Sequence, residues 1–339
     1  MIFSYRTRRF LSRFFRVILA TVAVLAVALL CWLLWLQRFV VYTDDGVKLD
    51  FSLSKDIPQG IIARPPEPME TVHIQYGETV VTLPPLEEED SFVGYYVNKE
   101  ELLADPAAVR AKMEALPAGT PVLLDLKNIR GYFFYSTDVG LETYKYADLK
   151  AIDELISWLG DSHLYAIARL PAFSDYVYGI TNPKAGLPLV SGALYFDDNR
   201  CYWLDPTHED TQDYLIRILR ELRGMGFEEV VLEEFRFPET EKVVFNKDRY
   251  LALMECAQTL VSACATESFT VSFATTDPTF PLPVTRSRLY LYNVEAVDVV
   301  DVVSQIGSAI KANRIVFVVN NTDNRYTDYG VLRPVELAG

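Results

Sequence analysis

The chain of 339 residues carries 46 acidic against 32 basic side chains, a formal net charge of −14, and half of its residues are hydrophobic. Six of the basic residues precede residue 41, so the remainder holds 26 basic against 46 acidic groups, a formal charge of −20 that repels phosphate backbones and argues against a nucleic-acid partner. The histidines His73, His163 and His208 stand singly with no paired zinc-ligand spacing, while 19 Phe and 20 Tyr supply material for one large core.

Arg6, Arg8, Arg9, Arg13 and Arg16 precede an apolar run over residues 17–36, closed by Gln37 and Arg38. Twenty residues at roughly 1.5 Å each span a bilayer core of about 30 Å. The arginines ahead of the run predict a single-pass cell-membrane anchor, with the N-terminus cytoplasmic and the C-terminal domain extracytoplasmic. Trp32 and Trp35 sit near its outer end, where aromatic rings favour the membrane interface. A cleaved signal peptide has a shorter apolar core, roughly 7–15 residues, and small residues at its cleavage site, whereas Leu30, Cys31 and Trp32 stand here. The predicted organisation is a basic tail over 1–16, an anchor over 17–38, a stalk or collar with short strands over 39–90, and a folded domain over 91–339.

Within the stalk, residues 46–53 alternate like a strand and residues 71–83 suit a hairpin around Gly77, punctuated by Pro65, Pro66, Pro68, Pro84 and Pro85. Glu87 to Asp90 form a solvated acidic run.

From Phe92 onward short buried strands alternate with amphipathic helices, the pattern of a parallel sheet covered by helices. Residues 92–97, 122–126, 164–168, 230–235, 269–274, 289–293 and 315–319 read as seven strands. Between them, Asp105 and Pro106 start a helix with Val109, Met113 and Leu116 on one face. Ile152, Leu155, Ile156 and Leu159 keep helical spacing up to Gly160. Thr207 and Asp210 are spaced as a capping box ahead of Leu215, Ile218, Leu219 and Leu222. Leu253, Cys256, Ala257, Leu260, Val261 and Cys264 form another stripe; the two cysteines, about 12 Å apart along the helix, are too far to bridge, and with Cys201 they are read as free thiols. Residues 294–306 are rich in valine, but Ala296, Val299, Val300 and Val303 fit a helix face, and helix is the reading. The fold class is α/β, a TIM-like (β/α) barrel with a shortened or irregular eighth stave over residues 330–335.

Such barrels carry their sites at the carboxyl ends of the strands. The polar residues there are Asp125, Lys127, Arg169, Asp175, Trp203, Asp205, Glu233, Glu234 and Arg236. Asp125 and Lys127 either form a rim ion pair with Arg169 or meet substrate. Strand alternation turns Glu234 and Arg236 away from Glu233. Trp203 either stacks on a sugar ring or anchors a loop, and His208 is read as exposed in the first turn of its helix. Lys127 as a Schiff-base amine would need a depressed pKa, and neighbouring acids act in the opposite sense.

Four motifs, LDLKNIRGYFFYST from Leu124, YAIARLPAFSD from Tyr165, YWLDPTHEDTQDYLIRI from Tyr202 and GFEEVVLEEFRFP from Gly226, resemble a bacterial family of glycoside-hydrolase-like (β/α) barrels related to the alpha-amylase type. The resemblance spans roughly residues 92–305. It implies a catalytic carboxylate at position 233, where the family has an aspartate followed by Tyr, Ile, Arg, Phe and Pro, and this chain has Glu233 and Glu234. A second family acid at the end of the fifth strand is replaced by Ala274, with Asp277 three residues on.

Glycoside hydrolysis generally requires two carboxyl groups. Glu233 is taken as the principal one and Asp125 as its companion, with Asp205, Glu234 and Asp277 as other candidates. Lys127, Arg169, Asp175, Trp203, Asp205 and Glu234 are taken as substrate-binding, with no metal ligand and no cofactor. The reading is a membrane-anchored, extracytoplasmic glycoside hydrolase acting on a cell-envelope or environmental polysaccharide or oligosaccharide. The alternative is a catalytically degenerate barrel that serves as a glycan- or protein-binding scaffold with envelope protein partners.

Overall fold

The computed structural model describes residues 40–43, 46–49, 92–139, 142–275, 278, 286–307 and 310–337. The chain forms two compact units, Met1–Glu78 and Thr79–Gly339. The first contributes an antiparallel pair, β1 (Val40–Thr43) and β2 (Gly46–Leu49), the second of which falls in the stretch whose alternation predicts a strand. The predicted anchor over 17–38, the hairpin over 71–83, the acidic run over 87–90 and Asp277 lie outside the described residues. Among the described residues no helix is long and apolar enough to cross a membrane.

The second unit is a closed barrel of eight strands: β3 (Val93–Val97), β4 (Pro121–Asp125), β5 (Tyr165–Pro171), β6 (Glu229–Glu233), β7 (Thr270–Thr275), β8 (Leu289–Tyr292), β9 (Ile315–Val318) and β10 (Gly330–Pro334). All eight neighbouring pairs are parallel, β10 closing the ring between β9 and β3. The eighth stave is thus a full strand and not a shortened one, and a single helical turn, Val335–Leu337, follows it. Gly94 admits the first close approach, because a Cβ there would lie 2.1 Å from the Pro121 carbonyl oxygen of the neighbouring strand.

The covering helices are α1 (Lys99–Ala104), α2 (Pro106–Glu114), α3 (Leu149–Gly160), α4 (Tyr176–Thr181), α5 (Glu209–Gly224), α6 (Arg249–Cys264) and α7 (Val299–Ile306). Asp105 closes α1 and caps α2, its Oδ1 accepting from the Ala108 N–H at 2.9 Å with Pro106 next in the first turn. Ahead of α5 the predicted capping box gives way to His208, whose Nδ1 accepts from the Asp210 N–H. The Thr207 hydroxyl is instead turned to Asp205, donating to its Oδ1 at 2.8 Å. His208 is therefore a half-buried cap and not an exposed first-turn residue.

Two apolar layers follow from strand alternation. Outward residues such as Val122, Leu124, Val230 and Leu232 meet the helices, where α5 contributes Leu215, Ile218, Leu219 and Leu222; full burial of each such aliphatic side chain is worth about 1.5–3 kcal/mol. Inward residues Leu123, Ile167, Val231, Ala274, Tyr290, Val316 and Leu332 fill the barrel. At its amino-terminal end Glu229, fully buried, pairs with Arg288 and accepts hydrogen bonds from the Tyr290 hydroxyl at 3.0 Å and the Tyr165 hydroxyl at 3.1 Å. Arg288 lies 4.0 Å from the centre of the Phe92 ring, so the buried charges end in a cation–π contact. Cys201, Cys256 and Cys264 are free and buried, and burial pushes the Cys201 thiol up to about 11 and the Cys256 thiol up to about 12, which makes both poor nucleophiles.

Candidate active site

The inward parity of each strand decides what reaches the carboxyl-terminal mouth. Asp125 follows Leu123 by two residues, Arg169 follows Ile167, Glu233 follows Val231 and Tyr292 follows Tyr290, so all four side chains share the barrel interior above its apolar plug. The register sets Asp125 opposite Arg169 on the adjoining strands β4 and β5, and Glu233 ends β6 opposite Pro171.

Arg169 ties these acids together. Its Nε and Nη2 donate to Oδ1 and Oδ2 of Asp125, the second at 2.8 Å, and Nε also lies 4.0 Å from Glu233 Oε2. With Nε in hydrogen-bond contact with Asp125 Oδ1 and 4.0 Å from Glu233 Oε2, these two oxygens are under about 6.5 Å apart. That bound includes the roughly 5–5.5 Å carboxyl separation of retaining glycosidases and lies at or below the lower edge, roughly 6.5 Å, for inverting ones. The guanidinium carbon lies 4.9 Å from the centre of the Tyr292 ring, which fixes the arginine from one side.

Glu233 keeps 37% of its side chain exposed, the most open carboxylate of the group. Burial at the strand end raises its pKa, the charges of Asp125 and Glu234 add to the rise, and Arg169 opposes it. Burial likewise raises the phenol of Tyr96, again with Arg169 opposing and Asp125 adding. A carboxyl group whose pKa is raised at the mouth of a barrel has the character of a general acid.

Lys127 and Asp175 form a separate ion pair, Nζ to Oδ2 at 2.6 Å, with no exposed side-chain surface on either partner. Lys127 also donates to the Pro171 carbonyl, and Asp175 accepts from the Tyr214 hydroxyl and from the Tyr178 N–H that opens α4. Gly131, at φ +87°, brings the loop after β4 onto this pair, where a Cβ would lie 2.0 Å from Asp175 Oδ1. The pair rivets the loops behind the mouth. Trp203 is 4% exposed, donates Nε1 to Asp197 Oδ2 at 3.0 Å and carries Arg236 over its ring at 4.9 Å, the geometry of a loop anchor. Asp205 is engaged with the Thr207 N–H and hydroxyl in the turn before α5. Glu234 turns from the strand with φ +50° and pairs with Arg236 at 2.8 Å.

The structure thus brings Asp125, Arg169 and Glu233 together and places Lys127, Asp175, Trp203, Asp205 and Glu234 in supporting roles around them. It adds residues that sequence reading passed over. Beside Arg169, already singled out in the sequence, a cavity of about 290 Å³ at the mouth is lined by Tyr96, Tyr292, Asn293, Glu295, Asn320 and Asn321. The one sequence signal of these six is position, at or just beyond the carboxyl ends of β3, β8 and β9. Among the described residues no group of three or more His, Cys, Asp or Glu is arranged to hold a metal ion.

A closed parallel (β/α) barrel with an acid–arginine–acid constellation at its carboxyl mouth defines the class. Residues 108–270 match the family described as "Putative glycosyl hydrolase domain". Among solved structures, the GH36 alpha-galactosidase AgaB from Geobacillus stearothermophilus shares 11% identity at a TM-score of 0.51, over 72% of this chain and 39% of that one. A GH36 alpha-galactosidase AgaA variant from the same organism, in complex with raffinose, shares 12% identity at a TM-score of 0.47, over 72% and 39%. A hypothetical protein from Ruminiclostridium thermocellum shares 21% identity at a TM-score of 0.46, over 53% of this chain and 96% of its own. At such identities the AgaB likeness speaks for the barrel fold, and this chain spans about two-fifths of that enzyme's length. No curated protein sequence matches the chain.

Proposed function

We propose that this barrel is a glycoside hydrolase in which Glu233 is the general acid and Asp125, aligned by Arg169, is the companion carboxylate. The observation that carries the reading is the single guanidinium of Arg169 gathering Asp125 and Glu233 at the carboxyl mouth, with Glu233 the more open and its pKa raised by burial. Glu233 would protonate the leaving oxygen while Asp125 faces the anomeric carbon directly or through a water. The match of residues 108–270 to a glycosyl hydrolase family supports the same reaction class. The polymer is a cell-envelope or environmental polysaccharide, reached by a domain held outside the cytoplasm through the apolar run over 17–36. The arginines before that run support this placement, and protease accessibility of intact cells tests it.

A general acid matters least when the leaving group needs no proton. Glu233→Gln is therefore expected to abolish kcat/KM on alkyl glycosides yet retain much of kcat/KM on dinitrophenyl glycosides, since that ratio reports the step that expels the leaving group. Equal loss on both would remove Glu233 from the acid role.

One observation favours a second reading, a degenerate barrel that binds glycan or an envelope protein without turnover. Both oxygens of Asp125 are engaged by Arg169, and Ala274 stands, buried, near the end of β7 where the resembled family carries an acid. Glycan binding by parent and Glu233→Gln alike, with no turnover by either, would establish it.

A further inference from the structure

We infer that the cavity at the mouth is a single-ring subsite that selects an uncharged pyranose and rejects a uronic acid; the inference rests on the glycan reading of the same site. Its volume, about 290 Å³, lies just under the roughly 300–1,000 Å³ of pockets for drug-sized ligands, room for one sugar ring and not for a chain. Of the residues that line it, two carry charge, Arg169 and Glu295.

A sugar carboxylate entering this cavity would turn to Arg169, the cation in its wall. That guanidinium is already committed: Nε and Nη2 go to Asp125, Glu233 stands 4.0 Å from Nε, and Tyr292 covers one side. Asp125 already neutralises that guanidinium, so a further carboxylate leaves negative charge in excess, and exposed Glu295 adds to it. A sugar ammonium would instead meet Arg169 itself. The remaining polar wall is neutral and suits hydroxyl groups: the phenol of Tyr96 and the amides of Asn293 and Asn320, with Val318 and Val319 available to ring C–H groups. Asn293 holds a left-handed conformation, φ +57°, directly after β8, backbone strain retained at the wall of the cavity.

The test is direct binding of methyl glycosides to the full chain in detergent micelles, read by ligand-observed NMR titration so that no turnover is needed. The probes are methyl glucoside, methyl galactoside and methyl N-acetylglucosaminide against methyl glucuronide. At least one uncharged glycoside is expected to bind, with the glucuronide weaker by roughly tenfold or more. Asp125→Asn, which releases the charge of Arg169, is expected to tighten the glucuronide by about tenfold relative to the uncharged sugars. Glu295→Gln, an exposed change with no demand on folding, should tighten it several-fold and keeps the test open if Asp125→Asn does not fold.

Glucuronide binding as tight as the best uncharged sugar, no response in a folded variant, or no sugar binding at all overturns the inference. Selective binding without turnover of any glycan would leave the subsite standing and remove the hydrolase. Turnover confined to acidic polymers would do the reverse.

Discussion

Arg169 donates to both carboxylate oxygens of Asp125 and brings the same Nε to 4.0 Å from Glu233, so one cation on β5 sets the positions of acids from the strands on either side. Removing it leaves two neighbouring carboxylates without a shared counter-charge. Arg169→Gln is therefore expected to raise the pKa of Glu233, since Arg169 is the larger of the two charges, with Lys99, that lower it. The alkaline limb of the pH profile of kcat/KM should move to higher pH, while Glu234→Gln, which removes a charge that raises it, should move the limb lower. Both shifts are read from pH–rate profiles on one substrate.

The raised pKa of Glu233 also has a sign for stability. The folded state holds this proton more tightly than the unfolded chain does, so the associated stability is complete below the ordinary value of 4.5 and is lost as pH rises through the folded pKa. Glu233→Gln, which keeps a neutral group there, should raise Tm modestly at pH 7 and leave it nearly unchanged below about pH 4. Scanning calorimetry at the two pH values reads the difference.

Lys127 and Asp175 share a salt bridge with no exposed surface on either side chain. Lys127→Met leaves a buried carboxylate without its cation, at a cost of about 3–5 kcal/mol. The double change Lys127→Met with Asp175→Asn should recover part of that loss. Urea denaturation of the three variants gives the coupling, and KM should move only as far as the loops behind the mouth do.

Trp203 separates a sugar platform from a loop anchor. Its burial, its bond to Asp197 and the guanidinium of Arg236 over its ring place it as an anchor. Trp203→Ala should cost about 3–5 kcal/mol of stability, whereas Trp203→Phe, which keeps most of the packing, should leave affinity for glycans unchanged.

Gly94→Ala should weaken the closure between β3 and β4, since the added methyl meets the Pro121 carbonyl oxygen at 2.1 Å. Overpacking of this kind costs about 1–3 kcal/mol, measurable as a lower urea midpoint with an unchanged slope.

The barrel was legible because buried strands of five or so residues alternate with helices whose apolar stripes keep helical spacing. All seven strands read from the sequence are present, and residues 330–334 form the eighth. The place of Asp125, Arg169 and Glu233 at the carboxyl ends of their strands followed from the same pattern, while their shared inward face came with the register of the barrel. The supporting residues were harder. Lys127 and Asp175 lie 48 positions apart on loops whose course depends on Gly131 and α4, so nothing local to either residue shows that each neutralises the other. Glu229 and Arg288, 59 positions apart, meet only because the barrel closes. Tyr96, Tyr292 and the mouth asparagines belong to no motif and gain meaning from the cavity they line.

The measurement closest to the central claim is release of reducing sugar from a panel of cell-envelope and plant polysaccharides by the full chain beside its Glu233→Gln variant, both shown to be folded. The account predicts release by the parent and a loss of about 10²–10⁴-fold in the variant, the range a general acid contributes. Release that survives unchanged in Glu233→Gln, or no release by the folded parent across the panel, would contradict it.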